Sequence, residues 1–439
     1  MRTVMITAPS SNTGKTTITL GLIRAIKNRG FNISAFKTGP DFIDTKYLEQ
    51  ASSKKAGNFD IHLMGKDGIR NSLQMNLGDY GVVEGVMGYF DGIYNTYENS
   101  SFHISKDLDI PAILVYKPEG EMFSAIPKIK GMVDFSESRI KGIILNKVDK
   151  SMFILLKEKI EEYIDIEVLG YLPKDTALEI DSRYLGLKQV HENQQSEYLI
   201  SKTAEALEST VNIDRILDLA NNIELELYNY PEKRDITVAI AYDKAFNFYY
   251  NENLKLLENI CNIKYFSPMK DKRVPKADII YIGGGYPELY KEELSSNINM
   301  INDIKENAEK GTPIIAEAGG LMYLLTSIED TPMCNIFSGN AIMTNRLQRF
   351  GYVNMDLKED TIIGKKGTII TGNEYHRSQV DTKEQPVFHI TKPMNNNRTW
   401  ECGYIYKNVL AYYQHINFLG NINAFNHLLD MAENIRKEG

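Results

Sequence analysis

The chain of 439 residues is 43% hydrophobic and 25% charged, a globular balance that excludes collagen-like, low-complexity and disulfide-stapled classes. With 58 acidic against 50 basic residues the net charge is −8, which argues against a nucleic-acid surface and leaves room only for a local basic pocket. Three cysteines (Cys261, Cys334, Cys402) make no disulfide framework or zinc spacing. No signal-peptide core or membrane-length apolar run occurs, so a soluble cytoplasmic protein without membrane or nucleic-acid partners is expected.

In chain order, strands are predicted at residues 4–7, 33–37, 81–84, 112–115 and 142–145, with a helix over 16–29 behind the first. Strands alternating with amphipathic helices imply crossover connections and a parallel sheet. Residues 192–226 read as mostly helical. The pattern breaks on Pro231 and charged residues between 228 and 235, and a fresh strand begins at 236–242. Further strands are expected at 279–282, 314–316, 369–371 and 409–413. The pattern predicts two α/β domains, residues 1–230 and 235–439.

Residues 8–17 (Ala-Pro-Ser-Ser-Asn-Thr-Gly-Lys-Thr-Thr) follow a strand and open a helix. Thr13, Gly14, Lys15, Thr16 and Thr17 read as the end of a phosphate-binding loop. Backbone N–H groups and a helix N-terminus face phosphates, Lys15 supplies charge and Thr16 a Mg²⁺ ligand. The strict motif fails because Pro9 stands where its first glycine belongs. A strand–helix turn merely rich in small polar residues is the bland alternative, and ATP binding is the better reading. Asp41 and Asp44 follow the second strand, Glu84 and Asp91 the third. Carboxylates at the C-terminal ends of parallel strands line the ligand crevice and could hold Mg²⁺, with Thr16, Asp44 and Glu84 as the ligand set. Asn146-Lys147-Val148-Asp149 matches a guanine-reading pattern, but four residues carry little information and the Asn146 amide suits adenine equally.

In the second half, Gly283-Gly284-Gly285 after a strand can bring backbone N–H groups to a ligand oxygen. Residues 314–323 have the strand, tight turn and helix of a nucleophile elbow, with Ala318 at the nucleophile position. His415 ends a later strand and could supply a base, although such a histidine taken alone is more often structural. Glu374 and His376 lie in the polar stretch 372–378.

These motifs together resemble the cobyrinate a,c-diamide synthase family. Its members are glutamine amidotransferases that join a dethiobiotin-synthetase-like ATP domain to a class I glutaminase domain. The resemblance runs nearly end to end, through residues 39–44, 84–92, 183–187, 245–250, 266–268, 283–289, 316–324, 349–352 and 374–378. It implies ATP–Mg²⁺ and carboxylate activation at Lys15, Thr16, Asp41, Asp44, Glu84 and Asp91. It also implies an oxyanion and glutamine site at Gly284, Gly319 and Glu374, with His415 activating a cysteine whose place Ala318 takes. Tyr184, Tyr242 and Asn417 also depart from the family pattern. The expected reaction is ATP-dependent amidation of the c and then the a acetate of cobyrinate, or of a related tetrapyrrole acid, with nitrogen from glutamine or ammonia.

A methyl group cannot attack an amide, so the glutaminase half is expected to be inactive. Cys261, Cys334 and Cys402 have no catalytic context, Cys402 because it precedes a strand and opens no helix. The alanine is either a designed silencing or a natural change in an ammonia-using enzyme; the sequence favours neither. A nickel-sirohydrochlorin a,c-diamide synthase is the alternative within the class, and a non-catalytic binder of ATP or tetrapyrrole the alternative outside it. A homodimer stays open.

Overall fold

The first strand of the chain sits inside a sheet rather than at its edge. A computed structural model describes residues 1–174, 182–183, 186–187, 195–224, 229–394 and 398–438. They form two units, residues 1–61 with 65–228 and residues 62–64 with 229–439.

In the first unit the strands are β1 (Arg2–Thr7), β2 (Ile33–Thr38), β3 (Gly57–Phe59), β4 (Tyr80–Glu84), β5 (Ala112–Tyr116), β6 (Ile140–Asn146) and β7 (Glu167–Leu172). They pair in the order β3-β2-β4-β1-β5-β6-β7, every pair parallel. Continuous apolar runs such as Ala112–Tyr116 follow from helices covering both faces. Helix α1 (Lys15–Asn28) packs its Ile18, Leu22 and Ile26 into this core. Gly21 lets it press against a later helix, Ser196–Thr210, since a Cβ at Gly21 would lie 2.5 Å from Thr203 Cγ2. The predicted helical stretch 192–226 contains that helix and Ile213–Leu219, then a two-residue strand paired antiparallel to β1. Residues 192–194 and 225–226 lie outside the described residues.

The second unit has a central sheet of β8 (Thr237–Ala241), β9 (Asn262–Phe266), β10 (Ile279–Ile282) and β11 (Ile314–Glu317), completed by two later strands, Tyr404–Tyr406 and Val409–Tyr412. The order is β9-β8-β10-β11, then Val409–Tyr412 in parallel, then Tyr404–Tyr406 antiparallel at the edge. Unlike a plain alternation of strands and helices, residues 349–402 build an antiparallel sheet. Its members are Arg349–Leu357, Ile369–His376, Phe388–Thr391 and Thr399–Cys402. The expected strand 369–371 is the start of Ile369–His376 and belongs to this second sheet. Alternating burial of Val353, Met355 and Leu357 against exposed Asp356 shows one face packed, as a period of two requires. Parallel strands in both central sheets present their C-terminal ends, with the loops that follow, as the site-bearing edges.

Candidate active site

The loop after β1 narrows at Gly14, whose φ of 84° suits glycine. A side chain there would collide with Asn146, because a Cβ would lie 2.1 Å from Asn146 Nδ2. That amide nitrogen donates to the Thr13 carbonyl at 2.6 Å and so holds the loop, while Asn146 Oδ1 has no hydrogen-bond partner among the described residues. Asp149 of the same tetrapeptide accepts from Met152 N at 2.8 Å as the cap of the following helix. Lys15 is buried and donates to the Met87 carbonyl at 2.7 Å. Burial, and then the neighbouring Lys37, push its amine down to about 8. Thr17 follows, partly exposed on the first turn of α1.

The acidic residues assemble around one lysine that sequence reasoning left aside. Lys37 Nζ, on β2, lies 2.7 Å from Asp44 Oδ2 and 3.1 Å from Glu84 Oε1. Burial opposes its charge, but Asp44, Glu84 and Asp41 outweigh that and raise its pKa. Thr16 Oγ1 donates to the same Glu84 Oε1 at 2.5 Å. Asp41 Oδ1 accepts from the backbone N–H groups of Ile43 and Asp44 at 2.9 and 2.8 Å and so opens the helix Ile43–Ser52. Burial and the adjacent Asp44 raise the Asp41 carboxyl to about 7. Asp91 closes the loop after β4 by accepting from Gly88 N at 3.0 Å. Glu84 is fully buried and its Oε2 has no hydrogen-bond partner among the described residues. With the Thr16 hydroxyl and Asp44 it offers the all-oxygen donor set that Mg²⁺ prefers.

In the second unit β11 ends at Glu317, and Ala318 turns sharply at φ 47°, ψ −102° into the helix Gly319–Leu324. This is the strained geometry of a nucleophile elbow. Ala318 N donates to the Tyr412 carbonyl at 2.7 Å, fixing the turn to the neighbouring strand. The helix can pass β10 only without side chains, since a Cβ at Gly320 would lie 2.3 Å from the Ile282 carbonyl oxygen. His415 Nδ1 is 3.3 Å from Glu317 Oε2, and Glu317 Oε1 receives Ile416 N at 3.3 Å and Tyr412 OH at 3.4 Å. Glu317 is thus the residue that orients the histidine. Nothing in a lone acid beside the elbow reveals that role before the fold sets it against His415.

The glycine run faces the other side of that histidine. A Cβ at Gly284 would lie 2.4 Å from His415 Cε1, and one at Gly319 3.2 Å from Gly285 N. Tyr249 holds the run by accepting from Gly283 N at 2.7 Å while donating to the Ala241 carbonyl at 2.5 Å. Glu374, on the second sheet, accepts from Gln414 Nε2 at 2.7 Å. Backbone bonds of 3.1 and 2.8 Å between Asn373 and His415 keep these segments together. The three cysteines are buried and free. Burial raises Cys261 and Cys334 to about 12 and Cys402 to about 11, so none supplies a thiolate. Cys402 does end a strand, Thr399–Cys402, contrary to its reading from sequence, but another strand follows and no helix. Tyr242 stacks on Tyr249 with ring centroids 6.0 Å apart, and Asn417 Oδ1 accepts from Leu419 N at 3.0 Å. Tyr184 lies outside the described residues.

Residues 4–187 match the CobQ/CobB/MinD/ParA nucleotide binding domain, and residues 237–422 the CobB/CobQ-like glutamine amidotransferase domain. Fold and site therefore define a nucleotide-binding domain joined to a glutamine amidotransferase domain. The cobyrinate a,c-diamide synthase of Clostridium acetobutylicum is 42% identical over 98% of this chain and 100% of its own length. That of Clostridium tetani is 41% identical with the same coverage, and that of Caldanaerobacter subterraneus 37% identical over 100% of both chains. The chain belongs to the cobyrinate a,c-diamide synthase family. No helix among the described residues is long and apolar enough to cross a membrane.

Proposed function

We propose that this chain amidates the a and c carboxylates of cobyrinate in cobalamin biosynthesis, in the cytoplasm, using ATP and ammonia. One observation carries the reading: Lys15, Lys37, Asp44 and Glu84 converge at the mouth of a phosphate loop in a chain whose relatives bear that activity in their names.

An acetate oxygen of the ring attacks the γ-phosphorus of ATP, ADP leaves, and an acyl phosphate forms. Ammonia then attacks the acyl carbon, a proton is lost, and phosphate departs to leave the amide. The backbone N–H groups around Gly14 and the Lys15 ammonium cradle the phosphates. Mg²⁺, held by Thr16, Asp44 and Glu84, would neutralise charge on the β- and γ-phosphates. Lys37 bridges those two carboxylates with its ammonium. Asp41, titrating near neutrality, is matched to accept the proton that the incoming nitrogen loses. In the second unit Gly284 and Gly319 would supply oxyanion N–H donors and Glu374 a glutamine contact, with His415 the base. Ala318 lacks the nucleophile, so glutamine would be bound and not hydrolysed, and free ammonia becomes the nitrogen source.

The test is ATP hydrolysis with ammonium, with and without the polycarboxylic tetrapyrrole. Stimulation by the acid, lost in Lys37→Ala, is expected. Hydrolysis unaffected by the ring would leave a nucleotide binder in its place.

A further inference from the structure

The loop after β4 holds large side chains in solvent on strained backbone. Met87 and Tyr94 take left-handed backbone, at φ 48° and 56°, although glycines stand close by at 85, 88 and 92. That conformation crowds any Cβ, and neither residue has the short polar side chain that offsets the cost. Both side chains face solvent together with Tyr97: Met87 is 40%, Tyr94 54% and Tyr97 46% exposed. Strained backbone and exposed apolar surface are separate costs, and residues that carry both collect where a ligand is clamped. The loop is anchored on the phosphate site. The Met87 carbonyl takes the Lys15 ammonium at 2.7 Å, Tyr89 N donates to the Ala8 carbonyl at 2.8 Å, and a Cβ at Gly88 would lie 2.5 Å from the Pro9 carbonyl oxygen. Further on, Gly92 N donates to the Thr96 carbonyl at 3.0 Å and Ile93 N to the Glu98 carbonyl at 2.8 Å, which folds Tyr94 into the tip of a turn. Tyr97 stands edge-on to Phe102 with ring centroids 5.5 Å apart, and Phe102 packs on Phe90 at 4.9 Å. An apolar wall therefore begins at the residue that holds the phosphate-loop lysine.

We infer that Met87, Tyr94 and Tyr97 form a contact surface for the face of a large, ring-shaped acid while one of its carboxylates is activated beside Lys15. An acid activated there comes within reach of the loop whose carbonyl holds that lysine. A thioether and two phenol rings suit an apolar, largely planar macrocycle. The thioether is polarisable and adaptable, the aromatic rings offer broad faces, and the phenol hydroxyls stay in water beside the ring's charged rim. A small acid that is all carboxylate would leave these three side chains uncovered. The inference rests on the amidation reading and names the side chains that select a tetrapyrrole over smaller polycarboxylic acids.

Calorimetric titration of the full chain with cobyrinic acid, with Mg²⁺ and a non-hydrolysable ATP analogue present, tests this without turnover. Tyr94→Ser and Met87→Ser are each expected to weaken ring binding about fivefold, and the double variant at least about tenfold. Circular dichroism checks that these exposed-site variants fold. Benzenehexacarboxylic acid, with many carboxylates and little face, should displace the ring at least about tenfold less readily than cobyrinic acid does. Met87→Gly supplies a readout that needs no ligand. With the crowded Cβ gone, the Tm of the free chain should hold or rise, whereas a methionine kept for packing would lower it. A lowered Tm, or equal ring binding by wild type and the double variant, would overturn the inference and leave the amidation reading standing. A wild-type chain that does not bind cobyrinic acid would overturn the amidation reading, and with it the occupant named here.

Discussion

Replacing Ala318 by cysteine should switch on glutamine hydrolysis in a chain that otherwise lacks it. The elbow already holds a Cβ at φ 47°, ψ −102°, so the backbone strain is present and the variant adds one sulfur atom. The base is already in place, with Glu317 3.3 Å from His415 Nδ1 and the Gly284 backbone against the imidazole edge. In catalytic units of this kind, losing the nucleophile costs on the order of 10³ to 10⁶ in rate, or roughly 4–8 kcal/mol of barrier, and restoring it should recover a comparable factor. Glutamate release, followed enzymatically with and without ATP, measures the gain. Alkylation gives an independent readout: one rapidly modified thiol should appear, because the native cysteines are buried with raised pKa values. A folded Ala318→Cys protein with an alkylatable thiol and no glutamate release would refute the reasoning that the remaining machinery is competent.

Three further outcomes are expected. In the Ala318→Cys background, Glu317→Gln should lower glutamate release by roughly 10²–10⁴, since the amide no longer fixes the histidine tautomer. Gly14→Ala should weaken nucleotide binding at least tenfold, read by fluorescent-nucleotide titration, because an alanine must hold the strained backbone φ of 84° and its methyl drives Asn146 off the Thr13 carbonyl. Asp41 makes stability depend on pH. Its folded value of about 7 lies above the ordinary 3.8, so the unfolded chain loses this proton first. The stability it supplies is complete below about pH 4 and falls as pH rises to about 7, with an upper bound of roughly 4 kcal/mol that partial exposure of Asp41 reduces. Asp41→Asn should therefore raise the Tm at pH 8 and leave it unchanged at pH 4. An equal shift at both would contradict the assignment.

Local chemistry explains what was legible before the fold was seen. The phosphate loop and the elbow are each contiguous strand–turn–helix segments, so residues 8–17 and 314–323 display them whole. Lys37 and Glu317 stayed hidden for the opposite reason, since each acquires its role from a partner far along the chain: Lys37 from Glu84, and Glu317 from His415. Asn146 was singled out as a nucleotide-binding residue, and its second use, the bond from its side-chain nitrogen to the loop, is visible only once β6 lies beside Thr13. The antiparallel sheet of residues 349–402 escaped because Arg349-Phe350-Gly351-Tyr352 breaks the alternation with exposed residues at its start. A short apolar run such as 369–371 cannot declare which sheet it will join.

The most direct test of the central claim is mass-spectrometric detection of product from cobyrinic acid, ATP and Mg²⁺, with ¹⁵N-ammonium or ¹⁵N-amide glutamine as the nitrogen source. The account predicts a doubly labelled a,c-diamide from ammonium and none from glutamine. Equal labelling from glutamine would contradict the role assigned to Ala318, and no diamide from either source would contradict the proposed amidation of cobyrinate.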